Sequence, residues 1–232
     1  MPSLAEIFRE TGGYKIAKYL QIYETLFGAR RRENLVLLEL GIYEGGSLQG
    51  WAAYFPNAVI AGIDLELPSI PPHNRIHMYA ADQANLAALS RVAAEVAPDG
   101  FDIIIDDCSH LAKPTKAAFW HLFDNHLKPG GIYCIEDWAT GYWAWWPDGR
   151  SIVPEPDTER RMPSHDAGMV GFLKQLIDEF HPGISAATPE ALAAALAEMQ
   201  SGSGQETGQG TSKFASMALY PGICVITKAE RR

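Results

Sequence analysis

Three cysteines in 232 residues, Cys108, Cys134 and Cys224, are too few and too widely spaced for a disulfide framework, and no CxxC pair is among them. Their scarcity fits reduced thiols and an expected cytoplasmic location. Long apolar runs are missing too: nothing approaches the roughly 20 apolar residues that a membrane-spanning helix needs. The opening residues, Met1-Pro2-Ser3-Leu4-Ala5-Glu6, show no basic stretch leading into an apolar one, so no signal peptide is expected. Positive charge is scarce: 19 Lys and Arg against 28 Asp and Glu leave a formal net charge of −9. Polyanion binding is driven by Lys and Arg releasing counterions, so this balance argues against nucleic acid as the main partner. The one basic cluster, Arg30-Arg31-Arg32, reads as a solvated helix end, where cations suit the negative pole of the helix dipole. Internal repeats are absent.

What is present is an alternation of short apolar runs and helix-length segments. A helix over about Lys15 to Phe27 leads into a first buried strand, Leu35 to Leu40, whose exit Gly41-Ile42-Tyr43-Glu44-Gly45-Gly46-Ser47 opens a helix through about Tyr54. Further strands are expected at Val59 to Ile63, Ile76 to Tyr79, Phe101 to Ile105 and Gly131 to Ile135. Helices fall at Asn85 to Val96, Thr115 to Asn125, Asp166 to Phe180 and Glu190 to Met199. Ser201 to Ser212 is a Gly/Ser/Gln tract read as a mobile loop. Phe214 to Leu219, the turn Tyr220-Pro221-Gly222 and Ile223 to Thr227 read as a terminal hairpin. Mostly apolar strands separated by helices predict a parallel sheet covered on both faces. Five parallel strands plus an antiparallel hairpin make a seven-stranded, doubly wound, Rossmann-like α/β fold of the methyltransferase type. The expected division is a helical segment over 1–33 packing on a core domain over 34–232, with 185–213 as a helical, flexible insertion.

In such a sheet ligands bind beyond the carboxyl ends of the strands. Gly41, Gly45 and Gly46 allow a tight bend and close approach to a ligand, although their GxxxGG spacing is not the dinucleotide GxGxxG and a plain tight turn also explains it. Glu39 stands just inside this loop. Asp64, after the second strand, is where a ribose diol needs an acceptor, and Asp82 offers a third acceptor after strand three, suited to an adenine amino group. Each acid alone reads as a solvated loop carboxylate; at successive strand ends they point to a cofactor.

The densest constellation is Asp106-Asp107-Cys108-Ser109-His110 after strand four, with Glu136-Asp137 after strand five. Adjacent strand ends lie about 5 Å apart, so these carboxylates converge. Crowded carboxylates need a cation or shared protons, and oxygen donors without a Cys/His cage suit Mg²⁺. The alternative is structural, with Asp107 or Ser109 capping the next helix and Glu136-Asp137 held by Arg or Lys. His110 shares the acidic loop and is the candidate base, whereas the other histidines read as structural. Cys108 has no activating partner and reads as a space filler. The segment Trp138 to Trp146 suits stacking on a sugar or planar ring, and equally a core plug or an oligomer contact.

Leu38-Glu39-Leu40-Gly41 with Gly45-Gly46-Ser47, then Ile105-Asp106-Asp107-Cys108-Ser109-His110, then Pro129-Gly130-Gly131 running to Ile135-Glu136-Asp137, resembles the metal-dependent macrolide-sugar O-methyltransferases. These class I enzymes include the mycinamicin and tylosin deoxysugar methyltransferases, with cephalosporin hydroxylase-like relatives. The resemblance covers roughly residues 14 to 228. It implies that Asp107, Glu136 and Asp137 are metal ligands, that His110 is the general base, and that Glu39, Asp64 and Asp82 contact S-adenosyl-L-methionine. Gly41, Gly45, Ser47 and Asp106 complete the expected cofactor set. One departure stands between the DD and SH pairs, where a small residue, often Gly, is replaced by Cys108. The separate N-terminal domain of some mycinamicin-type enzymes has no counterpart in this sequence.

The resulting expectation is an S-adenosylmethionine- and Mg²⁺-dependent O-methyltransferase in natural-product biosynthesis. Its acceptor would be a sugar or vicinal diol of a small molecule or glycoconjugate, and a homo-oligomer stays open. Two alternatives remain: a catechol or other phenolic O-methyltransferase, and a non-catalytic domain that binds S-adenosylmethionine.

Overall fold

In a computed structural model, residues 1–150, 164–180 and 212–230 are described, together with 188–190, 193 and 197. Most of the helix expected at Glu190 to Met199, and the tract Ser201 to Ser212 except its last residue, lie outside the described residues. The strands are β1 (Val36–Leu40), β2 (Val59–Asp64), β3 (Ile76–Ala80), β4 (Phe101–Asp106), β5 (Leu127–Glu136), β6 (Phe214–Tyr220) and β7 (Ile223–Lys228). They form one sheet in the order β3-β2-β1-β4-β5-β7-β6. β1 to β5 pair in parallel, β7 runs antiparallel to β5, and β6 antiparallel to β7. The expected five parallel strands closed by a hairpin are therefore present.

Side chains alternate across each strand, and the apolar runs divide between two cores accordingly. Leu37, Ile60, Ile103 and Ile105 face α1 (Leu4–Thr11), α2 (Ala17–Phe27) and α3 (Gly46–Tyr54). Leu38, Leu40, Ile63 and Ile104 face α4 (Leu86–Val96), α5 (Ala112–Asn125) and α7 (Gly168–Asp178). A short helix, α6 (Pro147–Arg150), precedes the last of these. Consecutive strands step outward from β1 to β3 and then return to β4 beside β1. The carboxyl ends of β1 and β4 thus flank the crevice where such folds take ligands.

Several boundaries differ from the sequence reading for identifiable reasons. α1 begins with a capping box in which Ser3 Oγ accepts from Glu6 N and the Glu6 carboxylate accepts from Ser3 N at 2.8 Å. α5 starts at Ala112 because proline is tolerated in a helix's first turn, so Pro114 does not delay it. β5 starts at Leu127, with Pro129-Gly130-Gly131 taken up in a register break opposite Phe101 to Ile103. Arg31 is less solvated than expected: its guanidinium lies over Tyr54, 4.4 Å from the ring centroid, and donates to the carbonyls of Tyr54 and Pro2.

The helix-capping role open to Asp107 or Ser109 falls instead to Asp148. Its Oδ2 accepts from Ala112 N and Met169 N, each at 2.8 Å, at the starts of α5 and α7. Losing one cap typically costs about 1 kcal/mol. Asp148→Ala, which removes two, is expected to lower unfolding free energy by about 2 kcal/mol, read by chemical denaturation. Asp148→Asn, which keeps an acceptor oxygen, should lose less.

Candidate active site

A cavity of about 980 Å³ opens at the carboxyl ends of the strands. Its walls include Gly41 and Ser47 from the β1–α3 turn, Asp64 after β2, Asp82 after β3, Asp107 and His110 after β4, and Glu136 and Asp137 at the end of β5. Residues expected to bind cofactor and residues expected to bind metal thus share one space.

The β1–α3 turn needs glycine for two separate reasons. Gly41 has φ +81, and a Cβ there would lie 2.1 Å from the Asp107 carbonyl oxygen. Gly41→Ala is therefore expected to force β1 and the β4 loop apart and abolish binding of S-adenosylhomocysteine, measured by calorimetry. At Gly46 a Cβ would lie 2.5 Å from the Gly12 carbonyl oxygen, so only glycine lets the α1–α2 loop sit on the start of α3. Asp64 stiffens the same turn, because its Oδ2 accepts from Ile42 N at 2.8 Å and Tyr43 N at 3.1 Å. Three non-glycine residues adopt left-handed backbone: Tyr43 (φ 44), His110 (φ 51) and Asp137 (φ 53). All three line the cavity. Such strain persists only where the surroundings enforce it, and it clusters at functional sites.

Glu39, Gly45 and Asp106, expected to touch cofactor, stand behind the cavity wall. Glu39 is fully buried under the first turns of α3, where its carboxylate accepts from Ser47 Oγ at 2.6 Å and Trp51 Nε1 at 3.4 Å. Burial raises its pKa despite these partners. Gly45 packs under Ile70 and Pro68 as the cap of α3. Asp106 is the last residue of β4, and strand alternation turns it away from Asp107. Its carboxylate is gripped by Gln83 Nε2 at 2.7 and 2.8 Å and by Tyr133 Oη at 3.2 Å. Burial pushes Asp106 up to about 7 against these hydrogen bonds. Gln83 Oε1 in turn accepts from Ser109 Oγ, so this network fixes the start of the acidic loop.

At the other end, one ligand atom from each of Asp107, His110 and Asp137 lies within 4.8 Å of the others. His110 Nε2 is 3.8 Å from both Asp107 Oδ1 and Asp137 Oδ2. The aromatic segment does not line the cavity. Instead Trp146 Nε1 and Thr140 Oγ1 donate to the His110 carbonyl, at 3.0 and 3.3 Å, and so fix that residue's backbone. Trp143 and Trp145 stack on each other at 5.0 Å and are exposed. Cys108 stands at the wall with its thiol pushed up to about 12 by burial and by Asp106, a protonated and unreactive group.

The sequence reading missed Lys15. Its side chain is 1 % exposed, and Nζ lies 2.7 Å from Asp107 Oδ2, 2.8 Å from Glu136 Oε1 and 3.1 Å from Glu39 Oε1. Burial pulls this ammonium's pKa down, but Asp107, Glu136 and Glu39 outweigh it and hold it well above the usual lysine range. Tyr19 Oη donates to Asp137 Oδ1 and Tyr23 Oη to Glu136 Oε1, each at 2.7 Å. The structural alternative for Glu136, a basic partner, is thus partly realised, whereas Asp137 has no Lys or Arg partner among the described ion pairs.

A seven-stranded sheet of this order, with its ligand cavity at the switch point, is the class I methyltransferase fold. The chain is a homologue of named O-methyltransferases. It is 33% identical over 190 residues to the 8-demethyl-8-alpha-L-rhamnosyl tetracenomycin-C 2'-O-methyltransferase of Streptomyces olivaceus, covering 78% of this chain and 46% of that protein. It is 38% identical over 128 residues to the demethylmacrocin O-methyltransferase of Streptomyces fradiae, covering 52% of this chain and 32% of that protein. The MycE methyltransferase of the mycinamycin pathway, solved with Mg and SAH, superposes with a TM-score of 0.74 at 26% identity, over 99% of this chain and 55% of that one. The chain spans about half the length of these relatives or less. No family model matches it. No described helix is long and apolar enough to cross a membrane.

Proposed function

We propose that this chain transfers a methyl group from S-adenosylmethionine to a hydroxyl of a sugar or vicinal diol, on a small molecule or glycoconjugate, with the help of Mg²⁺. The observation that carries this reading is the meeting of Asp107, His110 and Asp137 in the same cavity as Gly41, Asp64 and Asp82. The donor set fits a hard divalent ion: carboxylate oxygens without a thiolate, in a cavity whose one buried cation is outnumbered by acids. Asp107 and Asp137 would hold it, whereas Glu136, the third expected ligand, stands at the same wall outside the cluster of Asp107, His110 and Asp137, with its Oε1 taken by Lys15 and Tyr23. A divalent ion there supplies Lewis acidity that favours the deprotonated form of the acceptor hydroxyl.

The chain's own residues do the rest. The Gly41 turn and Asp64 shape the wall for the cofactor's methionine and ribose, with Asp82 at the adenine end. His110, held by Trp146 and Thr140, accepts the hydroxyl proton. As the oxygen–carbon bond forms, the sulfur–carbon bond breaks, and the sulfonium leaves as a neutral thioether. Enclosure of both reactants converts the encounter into an oriented, effectively unimolecular step.

Calorimetric titration with S-adenosylhomocysteine, using NAD⁺ as control ligand, tests the cofactor reading. Binding of the first alone supports it, and binding of neither, or only of NAD⁺, removes it. An acceptor screen of glycosides against catechols, with Mg²⁺ and with EDTA, then tests the reaction. Activity indifferent to EDTA would remove the metal from it.

A further inference from the structure

Lys15, Tyr19 and Tyr23 recur at intervals of four residues, the spacing that places side chains on one face of a helix. Along α2 and its entry loop, this stripe faces the acids at the ends of β4 and β5. Each member holds a carboxylate oxygen: Lys15 holds Asp107 Oδ2 as well as Glu39 Oε1 and Glu136 Oε1, Tyr19 holds Asp137 Oδ1, and Tyr23 shares Glu136 Oε1 with Lys15. The opposite oxygens of the two aspartates, Asp107 Oδ1 and Asp137 Oδ2, each stand 3.8 Å from His110 Nε2.

Resting on the metal reading above, we infer that α2 is a positioning helix, whose stripe orients the acidic cluster so that one oxygen of each aspartate is offered to a divalent cation. A carboxylate with one oxygen pinned by a donor cannot swing about its Cβ–Cγ bond, so the other oxygen is presented without reorganisation. Partners of this kind tune metal sites. The phenol of Tyr19 does this without adding positive charge that would repel the ion, and Tyr19 Oη is the only one of the three donors to hold Asp137 among the described residues.

An independent feature supports a dedicated place for this hydroxyl. Gly222, in the β6–β7 turn at φ +84, faces Tyr19, and a Cβ there would lie 1.8 Å from Tyr19 Oη. The turn therefore leaves room for this hydroxyl at Asp137.

Tyr19→Phe keeps the ring and deletes only the hydroxyl. Binding of Mn²⁺, followed by electron paramagnetic resonance without cofactor or acceptor, is expected to weaken by about 10-fold or more. The thermal midpoint and S-adenosylhomocysteine affinity should stay near wild type, which a general packing defect would not allow. Gly222→Ala should shift Mn²⁺ binding in the same direction by displacing the hydroxyl. If wild type binds Mn²⁺ and both variants bind it equally well, α2 does not position the ligands and the inference falls while the metal reading stands. If wild type binds no Mn²⁺, the metal reading falls and takes this inference with it.

Discussion

His110→Asn is expected to lower methyl transfer by about 10²–10⁴-fold while leaving S-adenosylhomocysteine binding near wild type. Asparagine is the informative replacement because residue 110 has φ 51, and asparagine tolerates the left-handed region better than most side chains. It cannot accept a proton near neutral pH, so the loss isolates the base. Trp146 and Thr140 grip the residue 110 carbonyl rather than its side chain, so the loop should keep its course. Single-turnover assays at saturating cofactor would read the effect. Undiminished turnover would remove His110 from the proton transfer.

Lys15→Met is expected to have the largest effect on stability. It leaves Glu39 and Glu136 buried beside Asp107 without their shared ammonium. Breaking a buried ion pair from one side costs about 3–5 kcal/mol, so denaturant midpoints should fall steeply. The pH dependence has a definite sign. In wild type, the folded pKa of Lys15 lies above its ordinary 10.5, so its contribution is complete below that pH and is lost only as pH rises through the folded value. Burial already raises Glu39 and Glu136 in wild type, and without the opposing ammonium of Lys15 both bind protons still more tightly in the folded variant, so acidification restores stability to it. The gap between wild type and variant should therefore narrow as the pH falls. A constant gap would mean that Lys15 contributes by packing rather than by charge.

The sheet and its ligand end were legible because buried parallel strands read as continuous apolar runs that stop at glycine or acid. The terminal hairpin was equally plain from Tyr220-Pro221-Gly222 between two strand-like runs. α1 was not assigned separately, although Ser3 and Glu6 carried the signal of a capping box. Within the site, Asp107, His110 and Asp137 were identified from one loop and one strand end. Adjacent acids were harder to separate: Asp106 and Asp107 look equivalent in sequence, but strand alternation sends one to Gln83 and Tyr133 and the other into the cavity. Lys15 was invisible because a single lysine at the expected start of a helix reads as solvated. Its partners are remote in the chain, and only the fold brings three strand ends to it. Tyr19 and Tyr23 carried a helical spacing, which suggests core packing; their rings obey that rule while their hydroxyls serve the acids.

Asp148 joins parts of the molecule that the sheet alone would leave independent. One of its oxygens holds the first turns of α5 and α7, and the neighbouring Trp146 holds the backbone of His110. Opening the aromatic segment would release both helix starts and the base at the same moment. These pieces are therefore coupled through one short segment, so a disturbance at Asp148 or Trp146 is felt at both helix starts and at the His110 backbone.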